Sequence, residues 1–203
     1  MLAAEAVGVR AGIQVLDACA APGGKTAYMA ERMNGTGRVY AWDVYEHRVE
    51  LIRAAARRLS LDNIRPVVRD ARAFRDDMAG MMDAVLLDAP CTGLGVMDNK
   101  PDIKYRVTEA QIAELTQLQA QILDTCAGYV RKGGTLVYST CSFLKEENEE
   151  QIGLFLKNHP EFRMDSLPES FGPLRENAGE RGLQILPWRD GIDGFFIARM
   201  KRD

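Results

Sequence analysis

The chain predicts an α/β fold, a mostly parallel sheet with helices on both faces, and three observations carry that prediction. Short apolar runs alternate with stretches of helical periodicity. Four of those runs lead into an aspartate: Asp17, Asp43, Asp70 and Asp88. A glycine-rich turn, Cys19-Ala20-Ala21-Pro22-Gly23-Gly24-Lys25-Thr26, separates the first run from the first helical stretch. Open α/β sheets bring backbone close to a ligand at such turns.

The elements follow in order. The first twelve residues carry little pattern, and Gly12 marks a turn. Ile13 to Leu16 read as the first strand, ending at Asp17. After the glycine turn a helix runs to about Met33, stopped by Gly35 and Gly37. Arg38 to Trp42 form the second strand, closed by Asp43. Val49, Ile52, Ala56 and Leu59 mark a helix from Glu46 to about Leu59. Ile64 to Val68 and Asp83 to Leu87 are the third and fourth strands; the fourth leads into Asp88-Ala89-Pro90-Cys91. A loop with Gly and Pro then runs from Ala89 to about Val107. Thr108 with Gln111 reads as a capping box, and Ile112, Leu115, Leu118, Ile122 and Leu123 mark an amphipathic helix behind it. Lys132-Gly133-Gly134 turns into the fifth strand, Thr135 to Tyr138, which leads to Thr140-Cys141-Ser142. Glu146 to about Asn158 is helical, Pro160 to Arg181 is irregular, and an apolar run from Phe195 to Met200 closes the chain. Repeats, low-complexity tracts and internal linkers are absent, so residues 1–203 are expected to form one domain.

Composition narrows the function classes. Hydrophobic residues make up 46% and charged residues 27%, an ordinary balance for a globular protein. Apolar runs fall well short of the roughly 20 residues of a membrane span. A net charge of −3 argues against a chain that is basic throughout. Between Arg48 and Arg75, however, eight arginines face three acids, and Lys100, Lys104 and Arg106 form a second basic stretch; a local RNA-binding face and a solvated helix face both fit. The four cysteines, Cys19, Cys91, Cys126 and Cys141, show no Cys-x-x-Cys spacing, and His47 and His159 fall in helical patterns, so no metal site is expected. Free thiols in a reducing cytoplasm are the expectation.

Three ligands compete for the glycine turn. Gly24-Lys25-Thr26 has the tail of a nucleotide-binding P-loop, but Cys19 stands where that motif needs glycine, and Pro22 removes a backbone donor. Asp43, 18 residues past Lys25, suits the ribose of a dinucleotide, but Gly-x-Gly-x-x-Gly is missing. S-adenosylmethionine fits more of the pattern: the loop for its amino-acid part, Asp43 for the ribose and Asp70 for the adenine. If the fourth and fifth strands are parallel neighbours, Cys91 and Cys141 both emerge at the carboxyl edge beside Asp88. Cys126, mid-helix, reads as a small buried hydrophobe, and Cys19 as a residue whose backbone matters more than its thiol.

Six blocks in order identify a family resemblance. They are residues 17–26, Asp88-Ala89-Pro90-Cys91-Thr92-Gly93-Leu94-Gly95, Lys100-Pro101-Asp102-Ile103-Lys104, Tyr138-Ser139-Thr140-Cys141-Ser142, Glu146-Glu147-Asn148-Glu149 and Asp193-Gly194-Phe195-Phe196. From Val15 onward the chain resembles the Nop/Sun family of RNA cytosine-5 methyltransferases, above all its bacterial branch acting on 16S ribosomal RNA. The resemblance implies a class I S-adenosylmethionine-dependent methyltransferase fold, Rossmann-like, with a seven-stranded sheet whose last strand pair is antiparallel. It implies S-adenosylmethionine as cofactor, held by Cys19, Ala20, Ala21, Pro22, Gly23, Gly24, Lys25, Asp43, Asp70 and Asp88. It places the nucleophile at Cys141 and the second cysteine, which helps release product, at Cys91. RNA is the implied partner, with no obligate protein partner. A transfer RNA methyltransferase of the same family and a non-catalytic RNA- or ribosome-binding module remain alternatives. Family members carry an upstream RNA-binding region, whereas about a dozen residues precede Ile13 here; a catalytic domain alone is expected. Trp188 stands where the family often has histidine.

The chemistry asks for these residue types. Carbon 5 of cytosine is a poor nucleophile, and a thiolate adding to carbon 6 makes it enamine-like. Carbon 5 must later lose its proton and the sulfur must leave, a task for Cys91 or a water it orients. Asp88 is suited to the amino and ring-nitrogen edge of the base, which has to be unstacked to arrive. A free thiol titrates near 8.5, so Cys141 needs a local lowering, for which Lys25 and Lys104 are the candidates.

Overall fold

A computed structural model describes residues 1–97 and 102–203. Parallel strands β1 (Gln14–Asp17), β2 (Arg38–Asp43), β3 (Ile64–Val68), β4 (Met82–Asp88) and β5 (Val130–Thr140) lie in the order β3-β2-β1-β4-β5. Helices α2 (Gly24–Arg32) and α3 (Glu46–Arg58) connect the first three. Because all five strands run the same way, Asp17, Asp43, Asp88 and Thr140 stand at their carboxyl ends, with Asp70 just beyond β3. Pro66 sits within β3, which is tolerable because that strand lies at the sheet edge.

Alternation along the strands sorts two cores. Leu16, Val85, Leu87, Leu136 and Tyr138 face one side, under α5 (Glu109–Tyr129) and α6 (Glu149–Asn158). Val15, Ala84, Leu86 and Val137 face the other, under α2 and an N-terminal helix α1 (Leu2–Val7). This helix corrects the reading of the first twelve residues as carrying little: Ala3, Ala4, Ala6 and Val7 are buried, and burying a valine side chain is worth about 2 kcal/mol. Six residues are too few for a periodic signal. Helix α5 begins with the expected capping box: Thr108 Oγ1 accepts from Gln111 N, and Gln111 Oε1 accepts from Thr108 N. Between β4 and α5 lies the one-turn helix α4 (Ile103–Arg106).

Among the described residues the sheet has nine strands rather than the seven expected. Beyond β5 it turns antiparallel. The last strand, β9 (Phe195–Arg202), pairs with β5 on one side and with β8 (Gly182–Ile185) and β6 (Phe162–Met164) on the other, and β7 (Ala178–Gly179) extends β8. Strands β6 and β7 are three and two residues long, so the region from Pro160 to Arg181 shows no periodicity in sequence. Helix α6 likewise starts at Glu149 rather than Glu146. Asn148 adopts φ −119 and ψ −102, outside the helical region, and Lys145–Glu147 form a separate 3-10 turn. One-turn helix α7 (Pro187–Asp190) precedes β9. Among the described residues no helix is long and apolar enough to cross a membrane.

Candidate active site

The site is assembled at the tips of β4 and β5, whose register sets Asp88 opposite Ser139. Ser139 Oγ donates to Asp88 Oδ1 at 2.7 Å, and Lys25 Nζ, from the first turn of α2, donates to Asp88 Oδ2 at 2.6 Å. Burial acts to pull the Lys25 ammonium down, but the pairing with Asp88 outweighs it and holds its pKa above the ordinary lysine value. Beyond these tips the chain turns back twice, and the two turns bring Cys91 Sγ within 3.4 Å of Cys141 Sγ.

The two thiols are driven in opposite directions. The hydrogen bond from Cys91 holds the Cys141 pKa below the ordinary thiol value; burial and the Asp88 charge oppose this, and the Lys25 ammonium assists. The same hydrogen bond, together with burial, pushes Cys91 up. Cys141 is therefore the more acidic thiol of the pair. Lys25 is the cation that bears on it, as the sequence anticipates; Lys100 and the side chain of Lys104 lie outside the described residues. Cys19 and Cys126 are pushed up by burial and are unreactive by the same logic.

Backbone stitches fix the turns. Gly95 N donates to Cys141 O at 2.9 Å, and Gly194 N donates to Gly95 O at 2.7 Å. A Cβ on Gly95 would lie 2.2 Å from Gly194 O, so only glycine fits. The block around Asp193 thus closes on the cysteines through Gly194, while Phe196 is core. Buried Asn148 braces Cys141: it accepts from Thr140 Oγ1 at 2.6 Å and donates to Ser142 O at 3.0 Å and Gln184 Oε1 at 2.8 Å. The sequence flagged Asn148 and Glu147 only as members of a motif; Gln184, Gln119 and Thr92, which pair with their side chains, lie 36, 28 and 55 residues away, too far for any spacing to reveal.

Two openings flank the pair. Cys91 lines a groove of about 410 Å³ with Thr92, Ile103, Val107, Leu115 and Leu118. On the other side, Trp188, 71% exposed, meets Phe143 edge-on at the rim of a groove of about 640 Å³.

The remaining expected residues line the edge on the opposite flank of β4. The turn after β1 holds Cys19 to Lys25. Gly23 has φ +104 and would press a Cβ to 3.2 Å of Ile52 Cα, whereas a Cβ on Gly24 would meet nothing within 4 Å. The turn is therefore packed beneath and open above. Asp17 is wholly buried below it; its Oδ2 accepts from Thr26 Oγ1 at 2.6 Å and its Oδ1 has no partner. Burial raises its pKa to about 7 against that hydrogen bond. Asp43 is buried and meets Arg48 at 3.4 Å, and Arg48 also reaches Ala21 O at 3.3 Å. Asp70 sits farthest along the row, where Arg72 pairs with it at 2.6 Å. Cys141, Cys91, Asp88 and Lys25 are therefore one cluster, and Asp43 and Asp70 are spaced along the edge away from it.

Known proteins share this architecture and much of this sequence. A family model described as 16S rRNA methyltransferase RsmB/F matches residues 6–201. The probable ribosomal RNA small subunit methyltransferase B of Bacillus subtilis is 44% identical over 208 residues, covering 100% of this chain and 46% of that protein. The protein of the same name in Synechocystis sp. is 40% identical, covering 93% and 43%. The crystal structure of PH0851 superposes with a TM-score of 0.92 at 37% identity, over 98% of this chain and 45% of that one. NSun6 from Pyrococcus horikoshii, solved with SFG, superposes at 0.87 and 28% identity, over 99% and 50%. The chain thus spans less than half the length of these curated relatives. Its sheet and helices are those of the class I methyltransferase fold, and with a family model matching nearly end to end, the chain belongs to the RsmB/F family of 16S rRNA methyltransferases.

Proposed function

We propose that this chain is the catalytic domain of an S-adenosylmethionine-dependent RNA methyltransferase that forms 5-methylcytosine in 16S ribosomal RNA. The observation that carries the proposal is the pair of sulfurs 3.4 Å apart beside the Lys25–Asp88 ion pair, at the tips of β4 and β5.

The residues fit the cofactor. The open backbone above Gly24, at the N-terminus of α2, suits the amino-acid moiety. Asp43 suits the ribose hydroxyls, Asp70 the adenine, and Asp88 with Lys25 the end nearest the cysteines. When bound, S-adenosylmethionine supplies an electrophilic methyl group.

Cys141 acts first: its thiolate forms a bond to carbon 6 of the cytosine, and the displaced electron pair enriches carbon 5. Asp88, held rigid by Ser139 and Lys25, orients the polar edge of the base. Once carbon 5 is methylated, Cys91 gives up its own proton to solvent and, as the thiolate, takes the carbon-5 proton, directly or through a water, while the carbon 5–hydrogen electron pair moves into the ring. The Cys141–carbon 6 bond then breaks, its electron pair returns to sulfur, and the ring double bond re-forms. The order is built into the pair. The chief influence holding the proton on Cys91 is the hydrogen bond to Cys141, and a Cys141 that has become a thioether no longer exerts it.

The test is tritium release from carbon-5-labelled cytidine in 16S ribosomal RNA, run with S-adenosylmethionine beside a binding titration of S-adenosylmethionine against ATP. Release that Cys141→Ala removes supports the proposal. Tight magnesium-dependent ATP binding, with no affinity for S-adenosylmethionine, overturns it.

A further inference from the structure

Glu147 has no part in the chemistry above, yet it is wholly buried, directly behind the cysteine pair. Its Oε1 accepts from Thr92 N at 2.9 Å and from Gln119 Nε2 at 3.0 Å, and its Oε2 accepts from Thr92 Oγ1 at 2.6 Å. Thr92 directly follows Cys91. Gln119 also donates to Pro90 O, the residue before Cys91, at 2.9 Å. The carboxylate therefore grips the chain on both sides of Cys91, on one side directly and on the other through Gln119. The Thr92 hydroxyl also meets Ser142 Oγ at 3.2 Å, and Ser142 directly follows Cys141. Glu147 is anchored in turn: Tyr138 in β5 donates its hydroxyl to Glu147 O at 2.6 Å.

Among the described residues, the donors to the Glu147 carboxylate are one backbone amide and two neutral side chains. Burying a carboxylate without a cation is costly compared with burying an amide of the same shape, and a loop tie alone needs no charge. Groups buried at such a cost concentrate at functional sites. We propose that Glu147 is the positioning residue that sets Cys91 against Cys141 and, through its charge, assigns the two sulfurs their separate roles. Its charge is among the influences that push Cys91 up, after the Cys141 hydrogen bond, burial and the Cys141 charge. The proposal rests on Cys141 being the nucleophile, and it adds the reason why Cys91 is not.

The test is the pH profile of iodoacetamide labelling at each cysteine, read by peptide mass spectrometry on the protein without RNA or cofactor. Glu147→Gln keeps the shape and removes the charge; Glu147→Ala removes the tie as well. In the wild type Cys141 is expected to label first and Cys91 slowly. In Glu147→Gln, Cys91 is expected to label about tenfold faster at a fixed pH, the equivalent of its midpoint falling by about one pH unit. General loosening would speed both cysteines and leave the Cys91 midpoint in place. An unchanged Cys91 midpoint in a folded Glu147→Gln protein overturns the proposal, whatever happens in Glu147→Ala. Failure of the underlying reading looks different: Cys91 outpaces Cys141 already in the wild type.

Discussion

The tips of β1, β2 and β3 and the tips of β4 and β5 share one edge of one sheet but are built by different means. On the first flank acids meet arginines, Asp43 with Arg48 and Asp70 with Arg72, and both arginines are substantially exposed. On the second flank the supporting groups are buried and mostly neutral. Gln119, Thr140, Ser142, Glu147 and Asn148 form a network with every tie inside the protein. Exposed ion pairs are weak and easily rearranged. Buried networks with matched partners hold a single geometry. The cofactor flank is thus adaptable and the cysteine flank is fixed in advance, as expected where one flank must admit and release a molecule and the other must hold two sulfurs in register.

The sharpest way to break this contrast is at the sulfurs. Cys141→Ala should cut methyl transfer by about a thousandfold or more. Cys91→Ala should instead leave a protein–RNA adduct that survives denaturation, visible as a shifted band on a denaturing gel. An adduct formed by Cys141→Ala would exchange the two assignments.

Next in size is Asp17, the wholly buried acid of the cofactor flank. Its pKa is about 7 in the folded protein and ordinary when unfolded, so its contribution to stability is fully present below about pH 4 and is lost as pH rises through 7. Asp17→Asn should therefore stabilise the protein at pH 8, by up to about 4 kcal/mol, and have little effect at pH 4. Urea unfolding at the two pH values checks the sign.

Asn148→Ala should cost about 2–3 kcal/mol, because it strips partners from Thr140 and Gln184 inside the network. It should also slow transfer more than it weakens cofactor binding. The smallest effect is expected at Arg72→Ala: an unchanged melting temperature, with S-adenosylmethionine binding up to about fivefold tighter as Asp70 is freed. A large loss of stability there would erase the distinction between the flanks.

The cofactor flank was the more legible of the two in the sequence. Asp17 and Asp43 each end an apolar run, and a local pattern of that kind survives translation into a strand end. The glycine turn was legible because Gly23 needs φ +104, which few other residues adopt. The cysteine flank was legible at Asp88, Cys91 and Cys141, which follow the fourth and fifth apolar runs and lie in the family motifs, but not in what supports them. What holds them depends on pairings across 28 residues, Gln119 with Glu147, and across 55, Thr92 with Glu147. Spacing along the chain carries no trace of such contacts. The missed helix α1 and the short strands β6 and β7 fail for another reason: six residues are under two helical turns, and strands of two or three residues complete one alternation or less, too little to show a period.

Strand β9 has a consequence for how the molecule comes into being. It follows every other strand of this sheet in the chain, yet it lies between β5 and β8. Gly194, immediately before it, ties the Gly95 backbone that in turn holds Cys141. A nascent chain that has emerged only as far as α6 carries both cysteines and an open β5 edge, but not the stitch that sets their spacing. Pairings of such long range form slowly, and open edges invite association with other chains. The spacing of the two thiols is therefore completed only once Gly194 and β9 have joined the sheet.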